Sequence, residues 1–281
     1  MAIPSLAGAP QVEIPEAPAE SAGLARRFPA YPDHFTFEPS SRWVRGLVGD
    51  LAVVDSRHQI LLWEPGHKVP EYGFPLEHVR TDLLEPSGGR PAIADEYWRP
   101  KTLDVQWFDL FVPGRRITAA AWRWNVPGLE RYIAVSWYPG VIDGWFEEDE
   151  PVITHPRDPA NRVDVVPSSR HVEILNGGHT LAESTRPTLL FEKGLPTRFY
   201  LPPEDVDLAL LEPVQLTSTC PYKGEADRYW RLRAGGEEIA WSYSAPFHQV
   251  SGITGLIAFY NERVELRVDG APFLDTPSTW A

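Results

Sequence analysis

The chain has 281 residues, of which 43% are apolar and 23% charged, so it carries enough apolar material for one large folded domain or two ordinary ones. With 39 Asp and Glu against 26 Lys and Arg, the formal net charge is −13, so phosphate backbones are repelled and we expect no nucleic-acid binding. The single cysteine, Cys220, excludes an internal disulfide framework and a zinc site made of cysteines.

The first 30 residues are rich in Pro and Ala and nearly free of aromatic residues, and we interpret residues 1–30 as an extended arm. They contain neither the basic nor the apolar region of a signal peptide. No apolar run in the chain approaches the ~18–20 residues of a membrane span. Together with the lone cysteine, these features predict a cytoplasmic protein that does not bind membranes.

An internal repeat organises the remainder of the chain. The sequence that begins at Ser41 returns from Ser169, and FPLEHVRTDLLEP returns as LPPEDVDLALLEP. Further matches keep the same order: Ser56 with Ser184, Glu64 with Glu192, Gly66 with Gly194, Trp107 with Trp230, and Trp122 with Trp241. We therefore predict two copies of one unit, a first repeat at residues 31–158 and a second repeat at residues 159–281.

Turns marked by glycine and proline divide each repeat into short strands. In chain order, the first repeat should turn at residues 48–50, begin a helical turn at 75–77 and form a hairpin over 107–124. The second repeat should form hairpins over residues 171–184, 229–243 and 257–270, with a helical turn at 202–205. The expected fold class is all-β: two tandem small antiparallel β-domains related by pseudo-twofold symmetry, in a monomer that forms an intramolecular pseudo-dimer.

The densest group of chemically versatile side chains surrounds the sequence TCPYKG at residues 219–224. A Lys and an Arg among aromatic rings predict a pocket that orients an acidic or carbonyl group and stacks on a planar one. The same residues also suit a strand core followed by an ordinary turn, and this alternative stays open. The candidate ligand-binding residues are Arg186, Tyr200, Tyr222, Lys223, Trp241, Tyr243 and Tyr260 in the second repeat, and Arg57, Lys101, Trp122 and Trp124 in the first.

Three other features have a structural explanation beside a chemical one. Cys220 is better explained as a small buried thiol than as a nucleophile, because no Cys-His signature accompanies it. Asp205 and Asp207 have a spacing that can hold Mg²⁺, but acids in the first turn of a helix explain them better. The eight histidines lack metal-ligand spacings, and no phosphate-binding glycine motif occurs. We therefore expect no bound metal and no cofactor.

The second repeat resembles the domain-of-unknown-function 427 family over nearly all of residues 169–273. The resemblance rests on CPYKG at 220–224, YW at 229–230, AWSY at 240–243 and IAFY at 257–260, in that order. It implies a compact antiparallel β-domain similar to the β-tent group, many of whose members hold zinc with four cysteines that this chain lacks. The nucleotidyltransferase label attached to the family in some catalogues finds no acid pair or phosphate loop here to support it. The first repeat looks like a divergent copy, with Gly73 in place of Tyr200.

Three functions are compatible with these residues. The first is a small-molecule-binding protein with an aromatic, Lys-containing cleft in each repeat, better formed in the second. The second is an enzyme that uses Lys223 as an amine nucleophile or base and Tyr222 as an acid, because burial can lower the pKa of a lysine. The third is a scaffold whose exposed aromatic residues bind a protein partner.

Two expectations discriminate among these functions. A cleft around Lys223 favours the first two, whereas a flat apolar patch favours the third. Lys223→Met should leave the fold intact, because the loss of a surface or pocket charge usually costs under about 1 kcal/mol, and it should abolish ligand binding.

Overall fold

The computed structural model describes residues 33–88, 100, 102 and 104–273, so the arm expected at residues 1–30 lies outside the described residues. Every strand pair among the described residues is antiparallel, which confirms the all-β fold class. In the first repeat the strands are β1 (Thr36–Pro39), β2 (Val44–Val48), β3 (Leu51–Ser56), β4 (Ile60–Trp63), β5 (Glu71–Pro75), β6 (Leu84–Pro86), β7 (Val105–Val112), β8 (Arg115–Trp124), β9 (Tyr132–Val135), β10 (Gly144–Glu147) and β11 (Glu150–Val152).

In the second repeat the strands are β12 (Val163–Pro167), β13 (Val172–Asn176), β14 (His179–Ser184), β15 (Thr188–Glu192), β16 (Arg198–Leu201), β17 (Leu211–Val214), β18 (Ser218–Cys220), β19 (Gly224–Ala226), β20 (Arg228–Leu232), β21 (Glu238–Ser242), β22 (Ile257–Phe259), β23 (Glu265–Val268) and β24 (Ala271–Pro272). Short 3₁₀ helices lie at Leu76–His78, Thr81–Leu83, Pro203–Asp205, Leu208–Leu210 and His248–Ile253. Within the part of the chain that the structure describes, no helix is long and apolar enough to cross a membrane.

Each repeat folds into a large sheet of seven strands and a small sheet of four. The large sheets have the orders β1-β4-β5-β9-β8-β7-β6 and β12-β15-β16-β22-β21-β20-β17, and the small sheets β11-β10-β2-β3 and β24-β23-β13-β14. With β18 and β19 set aside as a separate two-stranded sheet, the two repeats have the same strand order. Even a register shift recurs at the same place, after Gly46 and after Ile174. The tandem repeat is therefore confirmed, while a twofold axis between the copies stays a prediction.

The hairpins form where glycine permits a tight turn. β13 and β14 join at Gly177 and Gly178, whose φ angles of +56° and +81° are ones that other residues adopt only at a cost. The hairpins β7–β8 and β20–β21 and the helical turns Leu76–His78 and Pro203–Asp205 also lie at the predicted positions. Local turn chemistry thus sets the strand boundaries.

Apolar side chains form two layers in each repeat. One layer lies between the large and small sheets and includes Phe74 in the first repeat and Phe259 in the second. The other layer covers the opposite face of the large sheet, which we call the outer face. The outer face of the second repeat contains Tyr200, Trp241 and Tyr243, so the candidate site belongs to this layer.

The hairpin expected over residues 257–270 is wrong. β22 pairs with β16 and β21 in the large sheet, whereas β23 pairs with β13 and β24 in the small sheet. Alternating apolar residues indicate that a segment is a strand, but the alternation is the same whichever sheet the strand joins.

The match of Trp107 with Trp230 is also wrong by one residue. Trp107 pairs with Trp122 across the hairpin, and Tyr229 pairs with Trp241 in the same way. Trp107 therefore corresponds to Tyr229, and the outer face carries an indole in one repeat where it carries a phenol in the other.

Candidate functional site

The outer face of the second repeat carries a cleft of about 200 Å³. Trp241 and Tyr243 are two residues apart, so they point to the same side of the sheet, and Tyr200 reaches that side from β16. Five of the predicted site residues meet here: Tyr200, Lys223, Trp241, Tyr243 and Tyr260. The other lining residues are Leu190, Glu192, Leu195, Pro196, Arg198, Ser218 and Tyr229.

The CPYKG sequence forms the tight turn between β18 and β19. Cys220 pairs with Gly224, and the Lys223 N–H donates to the Cys220 carbonyl at 3.2 Å. Gly224 has a φ of +97°, and the Phe247 N–H donates to the Lys223 carbonyl at 3.1 Å. Hydrogen bonds within the hairpin and from Phe247 therefore fix the turn. In this turn the Lys223 side chain lines the cleft, and the Tyr222 side chain contacts the segment that joins the repeats, residues 153–162.

Lys223 forms a buried ion pair with Glu192. The ammonium donates to Glu192 Oε2, and the two side chains are only 12% and 6% exposed. Asn161 Nδ2 donates to the other carboxylate oxygen, Oε1, at 3.2 Å. Burial lowers the pKa of Lys223, but the nearby Cys220 and Glu192 raise it by more, so the net shift is upward. At neutral pH Lys223 is a protonated ammonium and not a free amine.

Tyr200 lines the cleft, and both its side chain and its hydroxyl are buried. Trp241 meets the ring edge-on, with centroids 6.2 Å apart, and no hydrogen bond of normal geometry to the hydroxyl is found among the described residues. Burial raises the pKa of Tyr200 to about 12, although the Lys223 ammonium and the Trp241 side chain each lower it in part, so the hydroxyl keeps its proton. A buried polar group without a partner costs about 1–3 kcal/mol, which a ligand that bonds to it would recover.

Arg198 forms one side of the cleft and is itself neutralised. Its guanidinium donates two hydrogen bonds to Glu262, at 2.9 and 2.8 Å. The hydrogen bond from Arg198 lowers the pKa of Glu262 and keeps that carboxyl ionised. The guanidinium carbon also lies 5.6 Å from the Trp241 ring and 6.0 Å from the Tyr260 ring.

Two predicted site residues of the second repeat do not line this cleft. The Tyr222 hydroxyl accepts the Asp158 N–H at 2.9 Å, and its ring packs edge-on against His155. Arg186 pairs with Asp205 at 2.9 Å, beside β14. Tyr222 therefore contacts the segment that joins the repeats, and Arg186 fixes a helical turn.

In the first repeat, Trp122 and Trp124 are packed into the outer face. Trp122 is fully buried, and Trp124 Nε1 donates to the buried Glu64 at 2.8 Å. Arg57 instead stacks on Trp43, with 4.4 Å between the guanidinium carbon and the ring centroid. The position of Lys101 lies outside the described residues.

Sequence reasoning missed the polar partners in the cleft. A signal was available for Glu192, because it recurs as Glu64 at the end of an apolar strand in both repeats. Arg198 offered no such signal, since Glu71 occupies its register position in the first repeat. Tyr229, which hydrogen-bonds to Ser218, was hidden by the one-residue misalignment with Trp107.

The carboxylates considered for magnesium have structural partners. Asp207 caps the helical turn Leu208–Leu210 by accepting the Ala209 N–H at 3.0 Å, and Asp205 accepts from Arg186 and Ser184. Across residues 33–88 and 104–273, no three His, Cys, Asp or Glu side chains form a group that could hold a metal ion. That the protein binds no metal stays a prediction for direct measurement.

The fold and the site define a tandem-repeat, all-β protein with an aromatic cleft in its second repeat. The sequence profile of the family described as Domain of unknown function (DUF427) matches residues 36–148 and 164–270. The chain belongs to this family and carries two copies of its domain, as the sequence resemblance predicted. A search of curated proteins finds no match.

Proposed function

We propose that the protein binds a small organic molecule in the cleft of the second repeat. The observation that carries this proposal is Tyr200, a lining residue of the cleft whose buried hydroxyl makes no hydrogen bond of normal geometry among the described residues. Buried polar groups are usually paired, so an unsatisfied hydroxyl on a residue that lines a cleft is a group that a ligand can bond to. Aromatic walls with a few convergent polar groups are typical of small-molecule sites.

The contacts of the cleft favour binding over the two alternatives. The pair with Glu192 keeps Lys223 protonated, which works against a lysine nucleophile or base. Trp241 and Tyr243 are 8% and 4% exposed, so they line a recess and do not form the exposed apolar patch that a partner-binding scaffold needs.

The proposal includes the setting in which the cleft works. We propose a monomer in the cytoplasm, with two β-tent-like domains packed as an intramolecular pseudo-dimer and no nucleic-acid or membrane partner. The net charge of −13 and the single cysteine support this setting. Sedimentation equilibrium should find one chain per particle.

A fragment screen by ligand-observed NMR tests the proposed function. Leu195→Trp places a large side chain in the cleft wall and should abolish binding of the hits. Tyr200→Phe should weaken hits that carry a hydrogen-bonding group by about fivefold, the value of one ordinary hydrogen bond. Tyr138→Phe makes the same chemical change at a residue of the first repeat that is 37% exposed, and it serves as the matched control.

The screen can also reject the proposal. If every hit binds Leu195→Trp as well as the wild-type protein, the cleft is not the binding site. A library that yields no hit at all has the same consequence.

A further inference from the structure

The charges that line the cleft cancel in pairs. Lys223 is bound to Glu192, whose second oxygen is bound to Asn161. Arg198 is bound to Glu262 through two hydrogen bonds. Each cation of the lining therefore already has its own carboxylate, and neither is left to neutralise a charge on a ligand.

A charged ligand would disturb this balance. An anion beside Lys223 would add a second negative charge next to Glu192, and a cation would add a second positive charge next to Lys223. A charge that is removed from water without a counter-ion is strongly disfavoured. The cleft therefore disfavours both anionic and cationic ligands.

The size of the cleft limits the ligand to one substituted ring. An apolar cavity of about 150 Å³ accommodates benzene, and this cleft is about 200 Å³. Trp241 lies beside Tyr260, with ring centroids 4.4 Å apart, and beside Tyr200. Aromatic walls of this kind favour a planar ring, which they contact through faces and edges.

The Tyr200 hydroxyl determines the polar group of the ligand. The hydroxyl keeps its proton at neutral pH, so it offers an O–H donor to an acceptor on the ligand. A carbonyl oxygen or a ring nitrogen meets this requirement without carrying a charge.

Resting on the proposed function, we infer that the ligand is an uncharged, single-ring aromatic molecule with a hydrogen-bond acceptor such as an amide or carbonyl oxygen. The proposal goes against the sequence-based expectation that Lys223 would orient an acidic group, because Glu192 already occupies that lysine.

Three isosteric probes separate charge from shape. Benzamide, benzoate and benzamidine have the same outline and carry charges of zero, minus one and plus one at neutral pH. Titration calorimetry with the full chain should find benzamide bound at least about tenfold more tightly than either ion. Tyr200→Phe should weaken benzamide, while Tyr138→Phe should leave it unchanged.

Two reciprocal variants should change the preference. Glu192→Gln frees the Lys223 ammonium and should shift binding toward benzoate, whereas Lys223→Gln leaves the Glu192 carboxylate and should shift it toward benzamidine. If either variant fails to fold, Glu262→Gln gives the same test at a pair whose carboxylate is 54% exposed. That variant frees Arg198 and should also favour benzoate.

The outcomes distinguish the inference from the proposed function. Benzoate binding to the wild-type protein as tightly as benzamide would overturn the uncharged ligand class and leave the cleft as a binding site. If no probe binds while fragment hits still depend on Leu195, the ring-and-acceptor class is wrong but the function stands. If no probe binds and the fragment screen gives no hit, both the ligand class and the proposed function are wrong.

Discussion

The outer faces of the two repeats use the same strand positions but differ in what fills them. In the second repeat, Tyr200 pairs across the strands with Thr188, and at the same positions the first repeat has Gly73 and Ile60. Ile60 occupies the space above Gly73, where an added Cβ would lie 2.8 Å from Ile60 Cγ1. The two repeats share their strand order, so strand order does not determine whether this face has a buried phenol or packed aliphatic core. The residues at one cross-strand pair determine it.

The repeated glutamates differ in a parallel way. Glu64 accepts the indole N–H of Trp124, whereas Glu192 accepts the ammonium of Lys223. A neutral donor in one repeat is thus replaced by a cation in the other, and two charges are removed from water together in the second repeat. The same glutamate position is therefore satisfied by a neutral indole in the first repeat and by a buried cation beside the cleft in the second.

Removal of one indole from each face should have the largest effect. Trp122→Ala deletes a fully buried ring between Trp107 and Trp124 and should lower the free energy of unfolding by about 3–5 kcal/mol. Trp241→Ala should cost roughly 2–3 kcal/mol, because the lost volume joins an existing cleft. Urea denaturation measures both, and equal losses would contradict the difference between the faces.

Breaking the ion pair should have an effect of similar size. Lys223→Met leaves Glu192 buried without its cation and should cost about 3–5 kcal/mol. The structure thus reverses the expectation that the fold tolerates this change. The double variant Lys223→Met with Glu192→Gln should recover at least about 2 kcal/mol of that loss. In the first repeat, Trp124→Phe removes a hydrogen bond to a carboxylate and also part of a buried ring, and it should cost at least about 1.5–3 kcal/mol. If the double variant is no more stable than Lys223→Met, the unpaired Glu192 carboxylate is not the cause of the lost stability.

The segment between the repeats should make the chain sensitive to acid. Burial lowers the pKa of His155 to about 4, despite a hydrogen bond to the Pro156 carbonyl that favours the charged ring. In the unfolded chain the same histidine has a pKa of about 6.5. Between about pH 4 and pH 6.5, the unfolded chain therefore binds more protons than the folded one. Stability should therefore fall by about 3 kcal/mol as the pH decreases from about 6.5 to about 4.

His155→Gln should remove this part of the acid sensitivity, as urea denaturation at several pH values would show. His34→Gln, at a side chain that is 73% exposed, is the control and should retain it. If both variants lose stability in parallel with the wild-type protein, His155 is not the cause.

Removal of one hydroxyl should affect the two repeats in opposite directions. Tyr72 in the first repeat donates to the buried Glu147, so Tyr72→Phe should cost about 1.5–3 kcal/mol. Tyr200→Phe should leave the stability of the free protein unchanged or raise it by up to about 1 kcal/mol, because no partner is lost. Differential scanning calorimetry without ligand checks this, and a clear loss at Tyr200 would reveal a partner for its hydroxyl.

Metal removal should have no effect. Elemental analysis should find no stoichiometric zinc, and a chelator should leave the Tm unchanged, because one cysteine and histidines without metal-ligand spacings do not make a tetrahedral site. A lower Tm with chelator would contradict this.

The sequence predicts best what local chemistry controls. The turns at Gly177-Gly178 and Pro113-Gly114 are predictable because a positive φ or a fixed proline φ limits which residues can occupy them. The cluster of Tyr200, Lys223, Trp241 and Tyr243 followed from strand alternation and a short connecting turn.

What the sequence did not predict depends on distant contacts. Glu192 and Lys223 are 31 positions apart, and nothing in either neighbourhood states that they meet. Arg186 and Tyr222 have the residue types of a binding cleft, but their partners, Asp205 and Asp158, lie elsewhere. Pairing in space, rather than residue type, decides which cation faces a ligand.

The contact of Ile60 with Gly73 bears on how two duplicated copies diverge. Gly73→Tyr alone would collide with Ile60, and Ile60→Thr alone would leave a void above Gly73. Both changes must occur before the face of the first copy can resemble that of the second, and either single intermediate is less stable than its parent. A change at only one of the two positions is therefore disfavoured, so the difference between the copies at this cross-strand pair maintains itself.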